Sequence, residues 1–353
     1  MSSSETNSAA WLEAMGKPFV VREAPMPPAP ASQEVVVRIH AVAINPIDAY
    51  RQARGIYTPS YPYILGFDAA GDVVSCGDEV SDVKPGDKII ALSDDLVAHS
   101  SSHGFFQRFA VVGDRPLCKI PSELSYEDAC VLPMGVNTAA GMLFENVTLD
   151  LEWPTTDEKE RAKRHHSGEV VVVWGASSSV GCNAVQLLKA AGYRAVATAG
   201  KHNFDLVKEC GADAVVDHTA TDAVDQVCKW VEEQNLQSAG VTAMIINEEV
   251  LQKCAQVAQR LPGKKFVSTS LPRGVRPEPD LGEGITTSNC YGLSQPDLHK
   301  YIWKEWMPKA LELGQLKCLP RPEVVGQGLE AINHACELIL KGVSGKKLVV
   351  GGI

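Results

Sequence analysis

GEVVVVWGASSSVGCNAVQLLKAAGYRAVATAG, residues 168–200, decides the fold. Val170–Trp174 is an unbroken apolar run between two glycines, the pattern of a strand buried on both faces of a parallel sheet. Small residues follow from Gly175 to Gly181, and then VGCNAVQLLKAAGY (180–193) reads as an apolar helix closed by Gly192. RAVATAG (194–200) returns as a second strand. Strand, tight turn, helix and strand make a βαβ unit, and the pattern continues outward. Helix FDLVKECGA leads to strand DAVVDH (213–218), and VTAMII (241–246) and KKFVSTS (265–271) supply two more. TTSNCYG (286–292) is a sixth strand, so a doubly wound parallel sheet is expected over this region.

Upstream the rhythm differs. EVVVRIHAVAI (34–44) alternates and then becomes wholly apolar, as a strand entering a core does, and turns follow at Cys76-Gly77, Pro85-Gly86-Asp87 and Gly113-Asp114. Short strands at this spacing predict a β-barrel-like domain. Beyond Gly314, residues 322–350 read as a short strand, a helix and a final strand that rejoins it. The expected division is 1–137 with 318–353, and 138–317 between them.

The chain has 353 residues, which at about 150 residues per domain is room for two cores. A formal charge of −10 repels phosphate backbones, so nucleic-acid binding is not expected. No apolar run reaches membrane-spanning length and MSSSETNSAA lacks a signal pattern, so no membrane is expected either. Ten scattered cysteines without a CxxC pair suggest free thiols in a reducing cytosol, hence a cytoplasmic protein. The polar stretch 148–169 contains KERAKRHH, read as a solvated loop, with an anion patch as the alternative.

The turn Gly175-Ala176-Ser177-Ser178-Ser179-Val180-Gly181 carries the chemistry. A backbone that bends sharply and presents amide N–H groups at a helix N-terminus suits a pyrophosphate, and the serines add hydroxyl donors. A dinucleotide is therefore expected here. No acidic residue stands between Arg194 and Asp205 to take a ribose 2′-hydroxyl. Gly200-Lys201-His202-Asn203 offers a cation and donors suited to a 2′-phosphate, which favours NADPH.

Together with AVAINPIDAY (41–50), LGFDAAGDVVSCGDEVSDVKPGDKI (65–89), GFFQRFAVV (104–112), NFDLVKECGADAVVDH (203–218) and SGKKLVV (344–350), these motifs resemble the medium-chain dehydrogenase/reductase superfamily over nearly the whole chain. Within it the chain is similar to the zinc-free branch of quinone oxidoreductases and enoyl reductases, and more narrowly to fungal trans-acting enoyl reductases and ToxD-like proteins. The resemblance implies a GroES-like β-barrel catalytic domain beside a Rossmann domain that binds NADPH. Zinc enzymes of the superfamily carry a Cys three residues before the first-motif Asp and a His–Glu pair in the glycine motif. Here Asn45 precedes Asp48 and Phe67-Asp68 replace that pair, so no metal is expected.

The implied reaction is hydride transfer to the β-carbon of an α,β-unsaturated carbonyl followed by protonation at the α-carbon. The substrate would be a small molecule or an enoyl thioester on a carrier protein, and a polyketide synthase is a possible partner. The alternatives are a quinone or small-enone reductase, and a cofactor-retaining redox-neutral or binding protein. Relatives include monomers and homodimers, and both remain open.

Tyr50 and Tyr57 resemble the paired tyrosines of quinone oxidoreductases and Thr138 a threonine beside the nicotinamide; these are the candidate catalytic groups. Cleft-wall packing is the alternative for the tyrosines, and a helix cap for Thr138. The resemblance carries cofactor contacts onto Asn45, Ile47, Asp48, Ala49, Tyr50, His218, Thr269, Ser270, Lys346 and Lys347, beside the loop residues above. It carries substrate contacts onto Ala139, Ala140, Gly141, Met142, Phe144, Asn289, Cys290, Tyr291 and Gly292. Trans-acting enoyl reductases usually have Ser at Ile47 and Lys at Tyr50, and the family's fourth strand commonly ends in Asp where MIINEEV (244–250) stands.

Overall fold

The computed structural model describes residues 5–270, 280–290 and 292–353. The chain divides into two units. The first comprises residues 1–134, 303–312 and 321–353, and the second 135–302 and 313–320. Residues 303–312 thus pack with the first unit, although the sequence places them in the α/β region.

The first unit opens with β1 (Asn7–Leu12), β2 (Val20–Ala24), β3 (Glu34–Ala43), β4 (Tyr63–Ile64), β5 (Asp68–Cys76), β6 (Lys88–Leu92), β7 (Phe109–Gly113) and β8 (Leu117–Lys119). β3 lies at the centre, antiparallel to β5 on one side and to β7 on the other. Its apolar run is explained by that position, since residues on both faces are covered. Val35, Val37 and Ile39 join Ile64, Leu65, Ile89, Phe105 and Phe106 in one core. β3 then hands the chain to α1 (Pro46–Arg54). Asn45 stands at its N-cap, Pro46 opens the first turn, and Gly55 closes it in the left-handed region at φ 66°.

The second unit is reached through α2 (Pro133–Phe144) and holds β9 (Glu169–Trp174), β10 (Arg194–Ala199), β11 (Ala214–Asp217), β12 (Gln237–Ala243), β13 (Phe266–Thr269) and β14 (Thr286–Asn289). All pair in parallel in the order β11-β10-β9-β12-β13-β14. The strand order reverses beside β9, and a doubly wound sheet binds ligands outside the carboxyl ends of its strands at such a point. Between these strands run α3 (Ser179–Ala191), α4 (Phe204–Cys210), α5 (Ala223–Glu233) and α6 (Glu248–Arg260). Val170, Val172, Val196, Val241 and Val267 pack under α5 and α6.

β14 ends at Asn289, short of its expected span of 286–292, and β12 departs further. β12 begins at Gln237 and ends at Ala243, so Met244, Ile245 and Ile246 leave the sheet and Ile245 is exposed. Asn247 takes over as N-cap of α6, its Oδ1 accepting the Val250 N–H at 2.9 Å. The apolar run thus continues past the strand end that the cap dictates.

The chain finishes in the first unit with β15 (Pro322–Gln327), α7 (Ala331–Lys341) and β16 (Lys347–Gly351). β16 pairs with β3 in antiparallel fashion and with β15 in parallel. Among the described residues no helix is long and apolar enough to cross a membrane, and no cysteine is in a disulfide.

Candidate active site

In the second unit the turn after β9 is built by steric exclusion. Gly175 has φ 89°, and a Cβ there would meet Ile245 Cγ1 at 3.0 Å. A Cβ on Gly181 would lie 2.6 Å from Ala176 Cα and from Gly175 O, so only glycine lets α3 start this close to the strand. Thr198 on β10 steadies the turn, its Oγ1 accepting from Gly175 N at 3.1 Å and its carbonyl from Ala176 N at 2.8 Å.

The three serines separate into different roles. Ser178 is the N-cap of α3: its Oγ accepts from Gly181 N at 3.1 Å and donates to Gly175 O at 2.9 Å. That hydroxyl is spent inside the turn and is not the phosphate donor expected of it. Ser177 and Val180 are half-buried and face no such demand. Ser179 Oγ is buried without a hydrogen-bond partner. A tight turn, an orphaned hydroxyl and the first N–H groups of a thirteen-residue helix fit a dinucleotide pyrophosphate.

At the end of β10, Gly200 is buried and Asn203 is buried, while the Lys201 side chain is 81% exposed. The Lys201 ammonium lies 3.8 Å from Asp217 Oδ2 at the end of β11. The Asp217 carboxyl is held below its usual range by the Thr219 N–H and hydroxyl. His202 is exposed and its ring lies over Gly200, where a Cβ would be 2.9 Å from Cε1. His218 is exposed beside Asp217.

Farther along this unit, Thr138 lies in the middle of α2, so the helix-cap alternative for it does not hold. Ala139, Ala140, Met142 and Phe144 are buried. A Cβ on Gly141 would meet Gly292 O at 2.5 Å and Cys290 Sγ at 2.6 Å, which brings α2 against the chain that leaves β14. Thr269 is buried and donates to Asn289 Oδ1 at 2.7 Å, and Ser270 is half-buried. Tyr291 lies outside the described residues.

Missed from the sequence is Glu145, buried just past α2, whose Oε1 accepts from Ser294 Oγ at 2.8 Å and Gln295 N at 3.0 Å. Most of the KERAKRHH run is solvent-exposed, as expected, but Glu158–Lys163 form a short helix rather than a loop, and only its end turns inward. Arg164 is mostly buried, donates to Trp153 O at 2.5 Å and pairs with Glu152 and Glu160. His166 sits 2.6 Å from both Glu152 and Glu169. Burial works against its charged form, yet those two carboxylates hold its pKa above the ordinary value.

The first unit gathers the other candidates. Asn45 Nδ2 donates to Asp68 Oδ2 at 2.9 Å, and the Lys347 ammonium donates to the same oxygen at 3.0 Å and to Asn45 Oδ1 at 2.5 Å. Asp68 Oδ1 accepts from Met134 N at 2.9 Å. All three side chains are buried. Lys347 therefore has its charge committed inside the unit, against the phosphate role carried over for it, while Lys346 is exposed and pairs with Glu323 at 2.5 Å.

Asp48 is fully buried. Its Oδ2 accepts from Asn45 N at 2.8 Å and its Oδ1 has no partner. Burial, reinforced by the Asp68 charge, outweighs the Asn45 N–H, Arg51 and Lys347 and pushes its carboxyl up to about 7. Ala49 is buried, Ile47 half-buried, and Tyr50 exposed with the Arg54 guanidinium 5.0 Å from its ring. Tyr57 stands in the left-handed region at φ 54°. Arg51 Nη2 reaches its carbonyl at 3.3 Å, and burial raises its phenol pKa. Arg51 is itself wholly buried and paired at 2.7 Å with Asp95, a second feature without a sequence signal.

Residues 31–122 match the alcohol dehydrogenase GroES-like domain and residues 179–268 the zinc-binding dehydrogenase family. The chain is 33% identical to dehydrogenase orsE of Emericella nidulans over 98% of its own length and 99% of that protein. It is 32% identical to the enoyl reductase component of lovastatin nonaketide synthase, lovC, of Aspergillus terreus over 93% and 91% of the two chains. Among solved structures, CurK enoyl reductase superposes with a TM-score of 0.77 at 19% identity, covering 98% of this chain and 99% of that one.

The zinc in one family description does not suit this donor set. An amide, an aryl ring and a carboxylate stand at Asn45, Phe67 and Asp68, and the amide and carboxylate oxygens already hold an ammonium. Among the described residues no group of three or more His, Cys, Asp or Glu is arranged to hold a metal ion.

Proposed function

The chain belongs to the medium-chain dehydrogenase/reductase superfamily, in its enoyl reductase branch, and on that footing we propose that it is an NADPH-dependent reductase of polyketide-type enoyl thioesters. The bound dinucleotide would supply a hydride to the β-carbon. Gly175, Ser177, Ser179, Val180 and Gly181 would hold its pyrophosphate, and Lys201, with His202 and Asn203, its 2′-phosphate.

The observation that carries this reading is the ammonium of Lys347 between Asn45 and Asp68. With its oxygens holding a fixed ammonium, this cluster has no free ligands for a metal ion. A substrate activated by its own conjugation, as an α,β-unsaturated thioester is, needs none. The protein's task is to orient it, to stabilise the enolate by hydrogen bonding and to place a proton source near the α-carbon. The exposed phenols of Tyr50 and Tyr57 are suited to that work. The site would act in the cytosol on a chain carried by a polyketide synthase; the Aspergillus terreus relative is named as the enoyl reductase component of a nonaketide synthase.

A second reading, a quinone or small-enone reductase, is favoured by Tyr50 standing where trans-acting enoyl reductases usually have Lys. One assay separates them. Purified protein is given NADPH with a carrier-bound enoyl thioester, with a simple enone, or with a quinone, and NADPH absorbance is followed. Oxidation confined to the carrier-bound substrate is expected. Faster turnover of a free enone or quinone selects the second reading, and tight NADPH binding without oxidation in any arm rejects both.

A further inference from the structure

We infer that Lys347 is a positioning residue, the internal cation that fixes the start of α1, and through it Tyr50, to the sheet of the first unit. Only the kinetic part of this inference rests on the reductase reading. Lys347 opens β16, 302 positions from the residue it grips. It is 4% exposed. An ammonium taken out of water is unfavourable unless its donors find oxygens, and here they find Asn45 Oδ1 and Asp68 Oδ2. The Asn45 amide N–H closes the third side of the triangle onto Asp68 Oδ2. Three side chains from three elements are thus locked by bonds of 2.5, 2.9 and 3.0 Å.

The position of Asn45 gives this lock its consequence. Asn45 is the N-cap of α1, and its backbone N–H is held in turn by Asp48. The helix therefore enters its first turn with both the main chain and the side chain of its cap immobilised. Tyr50 follows within that short helix, so the direction of its phenol depends on the cap. Asp68 passes the same restraint to Met134, at the start of α2. Without the ammonium, the buried Asp68 carboxylate would lose its cation and Asn45 Oδ1 would lose its donor. A lysine at the surface in the same arrangement would matter little, because water would compensate.

The test is a pair of variants, Lys347→Met and Lys347→Met with Asp68→Asn, the second removing both charges while leaving amide groups to bond Asn45 and Met134. The single variant is expected to lower kcat by about a hundredfold, the scale of a misplaced catalytic group, and to affect NADPH affinity less, because the pyrophosphate turn lies in the other unit. The double variant is expected to recover a large part of both kcat and melting temperature. Wild-type kcat in Lys347→Met overturns the inference, as does a double variant that melts no higher than Lys347→Met. If Lys347→Met does not fold, a folded double variant supports the inference and an unfolded one overturns it. If the wild-type protein reduces no substrate, the reductase reading fails, and the melting-temperature comparison still decides the role of Lys347.

Discussion

The turn at Gly175–Gly181 and the cluster of Asn45, Asp48, Asp68 and Lys347 both fix polar groups at the start of a helix, and they do so by opposite means. The turn works by leaving atoms out. Its glycines are required because Cβ atoms would crowd Ala176 and Ile245, and its three serines are only half-buried. The cluster works by adding charge, with every member buried and the partners drawn from opposite ends of the chain. One should therefore be sensitive to volume and the other to ionisation. The two sensitivities can be tested separately.

The largest effect belongs to volume. Gly181→Val places a branched side chain against backbone atoms 2.6 Å from its Cβ, atoms that cannot give way as a flexible side chain would. Overpacking of this kind costs about 3 kcal/mol, roughly a hundredfold in NADPH affinity, read as a fluorescence titration. The cluster in the other unit should be untouched, so Gly181→Val should keep the pH dependence of its stability. An affinity near the wild-type value would mean that the turn does not hold the dinucleotide.

At the outer edge of the same cofactor region, charge does matter, but in water. Lys201→Ala should weaken NADPH by about tenfold, the value of one charge-assisted contact to phosphate, and leave NADH unchanged. The difference should shrink as salt is raised, because the Lys201 side chain is 81% exposed and its field is screened. Equal losses for both dinucleotides would remove Lys201 from the 2′-phosphate.

How much of this was legible in the sequence follows the same divide. The six strands of the parallel sheet, the helix after Gly175 and the returning C-terminal strand could be read because each is encoded within its own segment, by apolar runs bounded by glycine. The end of β12 was misplaced because Met244–Ile246 prolong an apolar run that the cap at Asn247 cuts short. Of the candidate site, the turn from Gly175 to Gly181 is legible from spacing, whereas the capping role of the Ser178 hydroxyl is not. The resemblance to a known family brought in Asn45, Asp48 and Lys347 singly. No periodicity could join them, since their contacts span some 300 positions. The buried Arg51–Asp95 pair likewise joins separate elements and carries no local signal.

Ionisation of the cluster has its own signature. The folded chain holds a proton on Asp48 up to about pH 7, whereas in the unfolded chain its carboxyl returns to 3.8. Between those values folding takes up a proton, so stability rises as the pH falls through 7 and is lost as it climbs past. From pH 8 to pH 6 this amounts to about 1 kcal/mol. Asp48→Asn keeps an acceptor for the Asn45 N–H and should flatten that slope, seen as a smaller difference in urea midpoint between the two pH values. His166, also raised, contributes in the same direction, so a residual slope is expected in the variant. An unchanged slope would place the neutral proton elsewhere.

The smallest effect separates geometry from binding within the turn itself. Ser178 accepts from Gly181 N and donates to Gly175 O, so its hydroxyl is a cap. Ser178→Ala should cost about 1 kcal/mol of stability, the usual loss of a serine cap, while Ser178→Gly should cost only a few tenths. A phosphate ligand would behave otherwise, since both substitutions delete the same hydroxyl and would weaken NADPH equally. Thermal melts should therefore rank alanine below glycine, while the two variants bind NADPH alike and close to wild type. If instead both lose affinity together and neither loses stability, Ser178 belongs with Ser177 and Ser179 as a group that meets the dinucleotide. The turn would then carry its polar chemistry outward in full.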